Sequence, residues 1–269
     1  MKILICGDVV GRSGRESVAK YLPDLKKKLS IDIVIVDVDN AAHGFGITKE
    51  IAYQFFDLGA DVLTSGNHLF DQKEAISLLE KEKRFLRPAN MADVVPGSGI
   101  IEIITNSCQK VLVVHLLGQR DMPIIGENPF NFMDKLLQKY KIKRNIDVIV
   151  VEFHAETTSE KIALGHYLDG RVSVVVGTHT HVPTADAVVL ESGTAFQTDI
   201  GMCGDYDSVI GMHKQAIIDK FVKGYGAKFA PATGEATFCA SLVDVDDKKG
   251  LATAIMPLIL GGKLKFSSL

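Results

Sequence analysis

The sequence has no tryptophan, only four cysteines, and no apolar run near the roughly 18 residues that a membrane span requires. Cys6, Cys108, Cys203 and Cys239 are scattered, with no C-x-x-C pair and no small frame to staple, so reduced thiols are expected. A long basic block is also missing. With a net charge of -3, this argues against a protein that coats nucleic acid by electrostatics, and leaves a nucleotide-sized substrate open. The start, "MKILICGDVVGR", is too short in apolar residues for a leader, and no linker, repeat or low-complexity stretch divides the chain. These absences predict a soluble, cytoplasmic protein forming a single domain over 1–269. What is present, 46% hydrophobic and 23% charged residues, suffices for a large α/β core.

The first third alternates aliphatic strands ("KILICG", "IDIVIVDV", "ADVLTSG") with helical segments ("RESVAKYLPDLKKKL", "TKEIAYQFFDLG", "QKEAISLLEKE"), the order of parallel strands with crossover helices. "SGIIEIITNSCQKVLVVHLLG" reads as a hairpin turning at "NSCQK". Alternation resumes with helix "NPFNFMDKLLQKY", strand "IDVIVVEFH", helix "TTSEKIALGHYLDG" and strand "RVSVVVG"; Thr157 and Glu160 have capping-box spacing. The strand-rich tail, "TAFQTDIG", "ATFCASLVDVDD" and "LATAIMPLIL", would suit a second sheet packed on the first.

The polar residues fall where ligands bind in open α/β sheets, beyond the carboxyl ends of the strands. The first strand ends at Asp8, the second at Asp39 and Asn40, the third at Asn67 and His68, a later one at His154, and the next, "GTHTH", at His179 and His181. Gly7, Gly66 and Gly177 stand just before them, where close backbone approach is useful. Taken singly, each residue has an ordinary reading, since Asx side chains bond their own backbone in turns and lone histidines sit hydrogen-bonded in loops. Together they place four of the eight histidines and four Asp/Asn residues at five strand ends. If the H-T-H segment is extended, His179 and His181 project to the same side.

Carboxylate, carboxamide and imidazole donors without thiolate suit manganese, iron or zinc better than copper(I) or an iron–sulfur cluster. They outnumber what one tetrahedral ion needs. Two metals, roughly 3.5–4 Å apart and bridged by a carboxylate, would use them all, lowering the pKa of a shared water for in-line displacement at phosphorus. Hydrolysis of a phosphate ester is the inference.

The ordered set "GD", "DN", "GNH", "FH" and "GTHTH" resembles the calcineurin-like metallophosphoesterase superfamily, whose fold is a sandwich of two mixed β-sheets flanked by helices, four layers in all (α/β/β/α). Within it, "GDVVGRSGR", "NAAHGFGIT", "GNHLFD", "LRPAN", "FHAETTSEKIALGHYLDGRVSVVVGTHTHVPTAD" and "TDIGMCGDYDSVIG" are similar to the bacterial YmdB-type subfamily. The resemblance implies a di-metal phosphodiesterase for 2',3'-cyclic and other cyclic nucleotides, with iron or manganese as divalent or mixed-valence ions and a homo-oligomeric assembly. Asp8, Asn40 and His181 would hold one metal and Asn67, His154 and His179 the other, with Asp39 bridging. His68 would protonate the leaving alkoxide rather than bind metal. Two departures stand out: Val10 replaces the histidine of the superfamily's D-x-H, with Asn40 supplying the ligand, and Asp39 replaces the subfamily's usual Glu.

Asp37 shares the face of Asp39 if the strand stays regular, as a support for a ligand imidazole or as a turn-bonded carboxylate. His43 in a glycine-flanked loop could touch phosphate, His115 could approach the crevice but reads first as a hydrogen-bonded core residue, and His166 and His213 read as structural. Asp199 could orient a ligand histidine. Arg12 and Arg15 contact phosphate only if they point inward. The competing functions are a phosphomonoesterase and a metal-binding, nucleotide-sensing regulator with little turnover.

Overall fold

A computed structural model describes residues 1–264 apart from positions 125 and 227. The chain opens with β1 (Lys2–Cys6), β2 (Asp8–Val9), α1 (Gly11–Lys28), β3 (Ile33–Asp37), α2 (Lys49–Asp57), β4 (Val62–Thr64), α3 (Glu74–Lys81) and β5 (Phe85–Leu86). The expected hairpin follows as β6 (Ile100–Ile104) and β7 (Lys110–Leu117), paired antiparallel. Then come α4 (Pro129–Lys139), β8 (Val148–His154), α5 (Thr158–Tyr167), β9 (Val174–Thr178), β10 (Val188–Val189), β11 (Ala195–Gln197), β12 (Met202–Cys203), α6 (Lys214–Lys223), β13 (Phe238–Val245) and β14 (Ala252–Leu260).

Two mixed six-stranded sheets result, ordered β14-β13-β1-β3-β4-β5 and β10-β11-β9-β8-β7-β6, with a small β12-β2 ribbon beside them. The strand-rich tail is thus shared between the sheets rather than forming one of them. β11 pairs parallel with β9, whereas β13 returns to pair antiparallel with β1.

Strand parity sets the layers, because successive side chains point to opposite faces. Leu4, Cys6, Val34, Val36 and Leu63 pack against helical Val18, Leu22, Ala52, Phe55 and Leu78. Their neighbours Ile3, Ile5, Ile33, Ile35 and Val62 turn the other way, onto Val111, Val113, Val148, Val150, Val174 and Val176 of the second sheet. That sheet's outer face, with Leu112, Val114, Ile149, Val151 and Phe153, is covered by Met133, Leu136 and Leu137 of α4 and Leu164 of α5. The order is helix, sheet, sheet, helix. A slip of one residue would exchange both faces of a strand, and each fully buried aliphatic side chain contributes about 1.5–3 kcal/mol, so the register is firmly specified.

Helix starts follow local chemistry. Thr48 caps α2 by accepting from the Ile51 N–H, and Asn128 caps α4 by accepting from Phe130 and Asn131 with Pro129 next. The capping box expected at α5 is not made. Thr157 forms no cap hydrogen bond, and Glu160 instead accepts the backbone N–H groups of Gln119 and Arg120. Among the described residues no helix is long and apolar enough to cross a membrane.

Candidate metal centre

The inward-facing parity that buries Ile33 and Ile35 continues to Asp37, and likewise Val62 leads to Thr64, Val113 to His115, Val176 to Thr178, and Val150 to Glu152 and His154. All six polar residues are fully buried. The layer between the sheets therefore ends in a polar cluster, over which the loops following these strands close. Gly66 permits this: a Cβ there would lie 2.1 Å from the His154 ring. At Gly7 a Cβ would meet the Gly201 carbonyl oxygen at 1.8 Å.

His154, His179 and His181 each spend one ring nitrogen on an acceptor. His154 Nδ1 meets Asp37 Oδ2 at 3.2 Å and Thr178 Oγ1 at 3.0 Å; His179 Nε2 meets Glu156 Oε2 at 2.9 Å; His181 Nδ1 meets the Ile210 carbonyl at 2.8 Å. In a neutral ring this fixes the tautomer and leaves the other nitrogen as a lone-pair donor. His181 Nε2 faces Asn40 Oδ1 at 3.2 Å and Asp8 Oδ1 at 3.7 Å. The Asn40 amide nitrogen is engaged by the Gly44 carbonyl at 2.9 Å, so its oxygen is the atom turned to His181. His154 Nε2 faces Asn67 Oδ1 and His179 Nδ1, each at 3.1 Å, and Asp39 Oδ2 at 3.4 Å. The two groups of three expected from the resemblance are brought together as two adjacent clusters, and Asp39 approaches the second.

Lone pairs converging in this way fit a cation. Burial disfavours a charged His154, but hydrogen bonding to Asp37 and Asp39 outweighs it and raises its pKa well above the ordinary imidazole value. Burial, the His154 charge and the His181 charge push His179 down to about 2, and burial lowers His181. Burial and the Asp37 charge raise Asp8 well above the carboxylate range. A proton on His154 thus stands where the donor set would accept a metal. Asp8, Asp37 and His154 also offer atoms within 4.8 Å of one another. Asp37, however, already accepts the Asp39 N–H at 2.8 Å and the His154 Nδ1 proton, which makes it the residue that orients His154.

The backbone departs from expectation at two places. β9 stops at Thr178, and His179 and His181 have φ values of 93° and 65°, so the H-T-H segment is not extended. Both rings reach the site from left-handed backbone, uncommon for a bulky residue and typical of functional strain. Asp8 accepts the His179 N–H at 3.1 Å and Asp199 accepts the Thr180 N–H at 3.1 Å, pinning the turn. β3 likewise ends at Asp37, where its carboxylate takes the Asp39 N–H in a tight turn.

His68 Nδ1 meets Asp71 Oδ2 at 2.7 Å, and His68 lines the cavity above the two clusters. Asp39 holds the His68 N–H at 3.1 Å and the Ser65 hydroxyl at 2.8 Å. Among the described residues Asp199 engages no ligand ring: its Oδ2 accepts from buried Lys161 at 2.8 Å and from Thr180, and its Oδ1 accepts the Gly201 N–H at 2.8 Å. The residues that sequence reasoning missed are Asp71, Glu156, Lys161 and Glu152. Lys161 left one trace, a lysine on the Leu164 and Leu168 face of α5. Glu152 accepts from Thr64 at 2.9 Å, and burial with the Asp37 charge raises its pKa well above the carboxylate range.

His115 is fully buried, but neither ring nitrogen has a hydrogen-bond partner among the described residues, against expectation; Glu152 Oε1 is 3.6 Å away, and burial pushes its pKa down to about 4. Arg12 pairs with Glu16 and Arg15 donates to the Ala41 carbonyl, both along a groove of about 430 Å³ that α2 residues also line, so neither serves the clusters. His43 is exposed on an adjoining groove with Asp71 and Lys228, and His166 and His213 face solvent.

The model of the YmdB-like protein family matches residues 4–258. A Bacillus subtilis (strain 168) protein named 2',3'-cyclic-nucleotide 2'-phosphodiesterase is 40% identical over 260 residues, 97% of this chain and 97% of that protein. Among solved structures, a hypothetical protein from Thermus thermophilus superposes with a TM-score of 0.91 at 38% identity, covering 98% of this chain and 100% of its own. A Mycoplasma pneumoniae structure described as a novel phosphatase gives 0.90 at 33%, covering 97% and 93%. With the family model spanning nearly the whole sequence and relatives this similar aligned end to end, the chain belongs to the YmdB-like protein family.

Proposed function

We propose that the chain is a metal-dependent phosphodiesterase that opens 2',3'-cyclic nucleotides, and that 3',5'-cyclic nucleotides are further candidates. The observation that carries this is the set of three histidines whose outer nitrogens are tied to acceptors while their inner nitrogens converge on Asn and Asp oxygens. Asp8, Asn40 and His181 would hold one ion and Asn67, His154 and His179 the other, with Asp39 between them. When bound, two such ions would supply the Lewis acidity that offsets phosphoryl charge and makes water nucleophilic near neutral pH.

The chain's own residues do the rest. Asp37, Glu156 and the Ile210 carbonyl fix the rings, and Asp199 with Lys161 fixes the turn that presents two of them. His68, with Nδ1 engaged by Asp71, has Nε2 left to give a proton to the ribose oxygen as the phosphorus–oxygen bond breaks. The product is a nucleoside monophosphate with a free hydroxyl.

Iron or manganese as native ions, one domain over 1–269, cytoplasmic residence and self-association are finer parts of the same proposal. Oxygen and nitrogen donors without thiolate support the first. An inter-sheet layer fed by both halves of the chain supports the second, although residues 265–269 lie outside the described residues. Free cysteines, three of them buried, accord with a reducing compartment. Exposed Ile218, Val222 and Tyr225 on and after α6 offer an apolar face that a second copy would cover, which light scattering in solution tests. The activity is tested by offering the metal-loaded protein a chromogenic phosphodiester, the monoester of the same leaving group, and 2',3'-cyclic AMP. Turnover of both diesters is expected. A protein inert toward both diesters contradicts the reading, and preference for the monoester replaces it with a phosphomonoesterase.

A further inference from the structure

A cavity of about 380 Å³ opens directly above the two clusters, a volume in the range of small-molecule sites. Its floor is polar, made by Asn40, His68, His179 and His181. Its wall is not: Phe45, Phe221 and Phe229 supply three aromatic rings, and Ile217 and the thioether of Met212 fill between them. Phe45 stands edge-on to His68 with ring centroids 5.0 Å apart, so the wall begins where the floor ends. The Lys220 ammonium sits over one face of the Phe229 ring, 4.7 Å from its centroid, which leaves the opposite face for a ligand. Phe221 is 83% exposed, an aromatic left in water at the mouth of a site that the fold otherwise covers.

Resting on the phosphodiesterase reading, we propose that this wall is the nucleobase subsite, with Phe221 and Phe229 as specificity-determining residues. The polar floor takes the cyclic phosphate, and the flat, apolar part of the substrate then lies against the rings. Lys220, the one charged side chain lining the wall among the described residues, is drawn over Phe229, and the rest of the wall offers no hydrogen-bonding side chain to a base edge, so the subsite reads the π-face more than the hydrogen-bonding pattern. Stacking of this kind is tolerant of sequence, because every base has such a face. The substrate class is therefore any nucleoside 2',3'-cyclic phosphate, in preference to cyclic phosphodiesters that lack a base.

The experiment compares kcat/KM for 2',3'-cyclic AMP, 2',3'-cyclic CMP and glycerol 1,2-cyclic phosphate, which has no base, in the metal-loaded wild type, Phe221→Ala and Phe229→Ala. In the wild type both nucleotides are expected to exceed the glycerol compound while differing from each other by less than about tenfold. Each alanine variant lowers the nucleotide-to-glycerol ratio by about tenfold, mainly through KM, and Phe221→Tyr restores it. An unchanged ratio in both variants overturns the subsite. Equilibrium dialysis of adenosine separates this failure from failure of the function itself. If the wild type hydrolyses no cyclic phosphate, adenosine binding that weakens in Phe221→Ala still supports the subsite, whereas absent or unaltered binding removes it.

Discussion

At one end of the layer between the sheets, Ile5, Ile35, Val62, Val113 and Val150 are buried against one another. At the other, reached along the same faces of the same strands, Asp37, Thr64, His115, Glu152 and His154 are equally shielded from water. Burial and parity are shared; the chemistry is not. The apolar end specifies register and contributes stability, and the polar end is tolerable because its groups, His115 apart, partner one another or a cation. His154 shows the difference most clearly, since hydrogen bonding to Asp37 and Asp39 overcomes the effect of burial and raises its pKa well above the ordinary imidazole value.

The contrast is most sharply broken just above the polar end. His68→Ala is expected to lower turnover of 2',3'-cyclic AMP by about 10²–10⁴-fold, the usual range for a general acid, with metal content unchanged. Loss of metal together with activity would move His68 into the ligand set. Asp37→Asn, which takes the carboxylate from the far nitrogen of His154, should weaken metal affinity by about 10–100-fold in a chelator competition.

The proton on metal-free His154 gives a pH dependence of defined sign. Its folded pKa is raised, so its contribution to the metal-free fold is complete below the ordinary imidazole value of about 6.5 and is lost as pH rises through the folded value. A cation must expel this proton, so metal affinity should fall with falling pH, by up to about tenfold per pH unit from this group alone. Calorimetric titration between pH 6 and 8 reads the slope. At the apolar end, Ile5→Val should cost about 0.5–1.5 kcal/mol in urea unfolding while leaving metal stoichiometry as it is.

Much of the candidate site was legible because strand ends in an α/β sheet are predictable places: His154 closes β8, and Asp8, Asn40, Asn67, His179 and His181 come one to three residues after β1, β3, β4 and β9. The tautomers were not legible, because Glu156 and the Ile210 carbonyl reach their histidines only after the chain has folded. The H-T-H turn defeated the parity rule, since β9 ends before the first of its three residues and histidine carries no glycine-like mark of left-handed backbone. Glu160 had the spacing of a cap, yet two backbone N–H groups from the loop after β7 bind it instead. The cavity wall joins residues near 45 with others near 210–230, a meeting that no local pattern announces.

The central claim is that the inward nitrogens of two neighbouring clusters hold two ions. Elemental analysis of the protein after loading with manganese and gel filtration tests it directly. Two ions per chain are expected, falling toward one in His181→Ala; a wild type that retains none, or a His181→Ala protein that still retains two, would contradict the account.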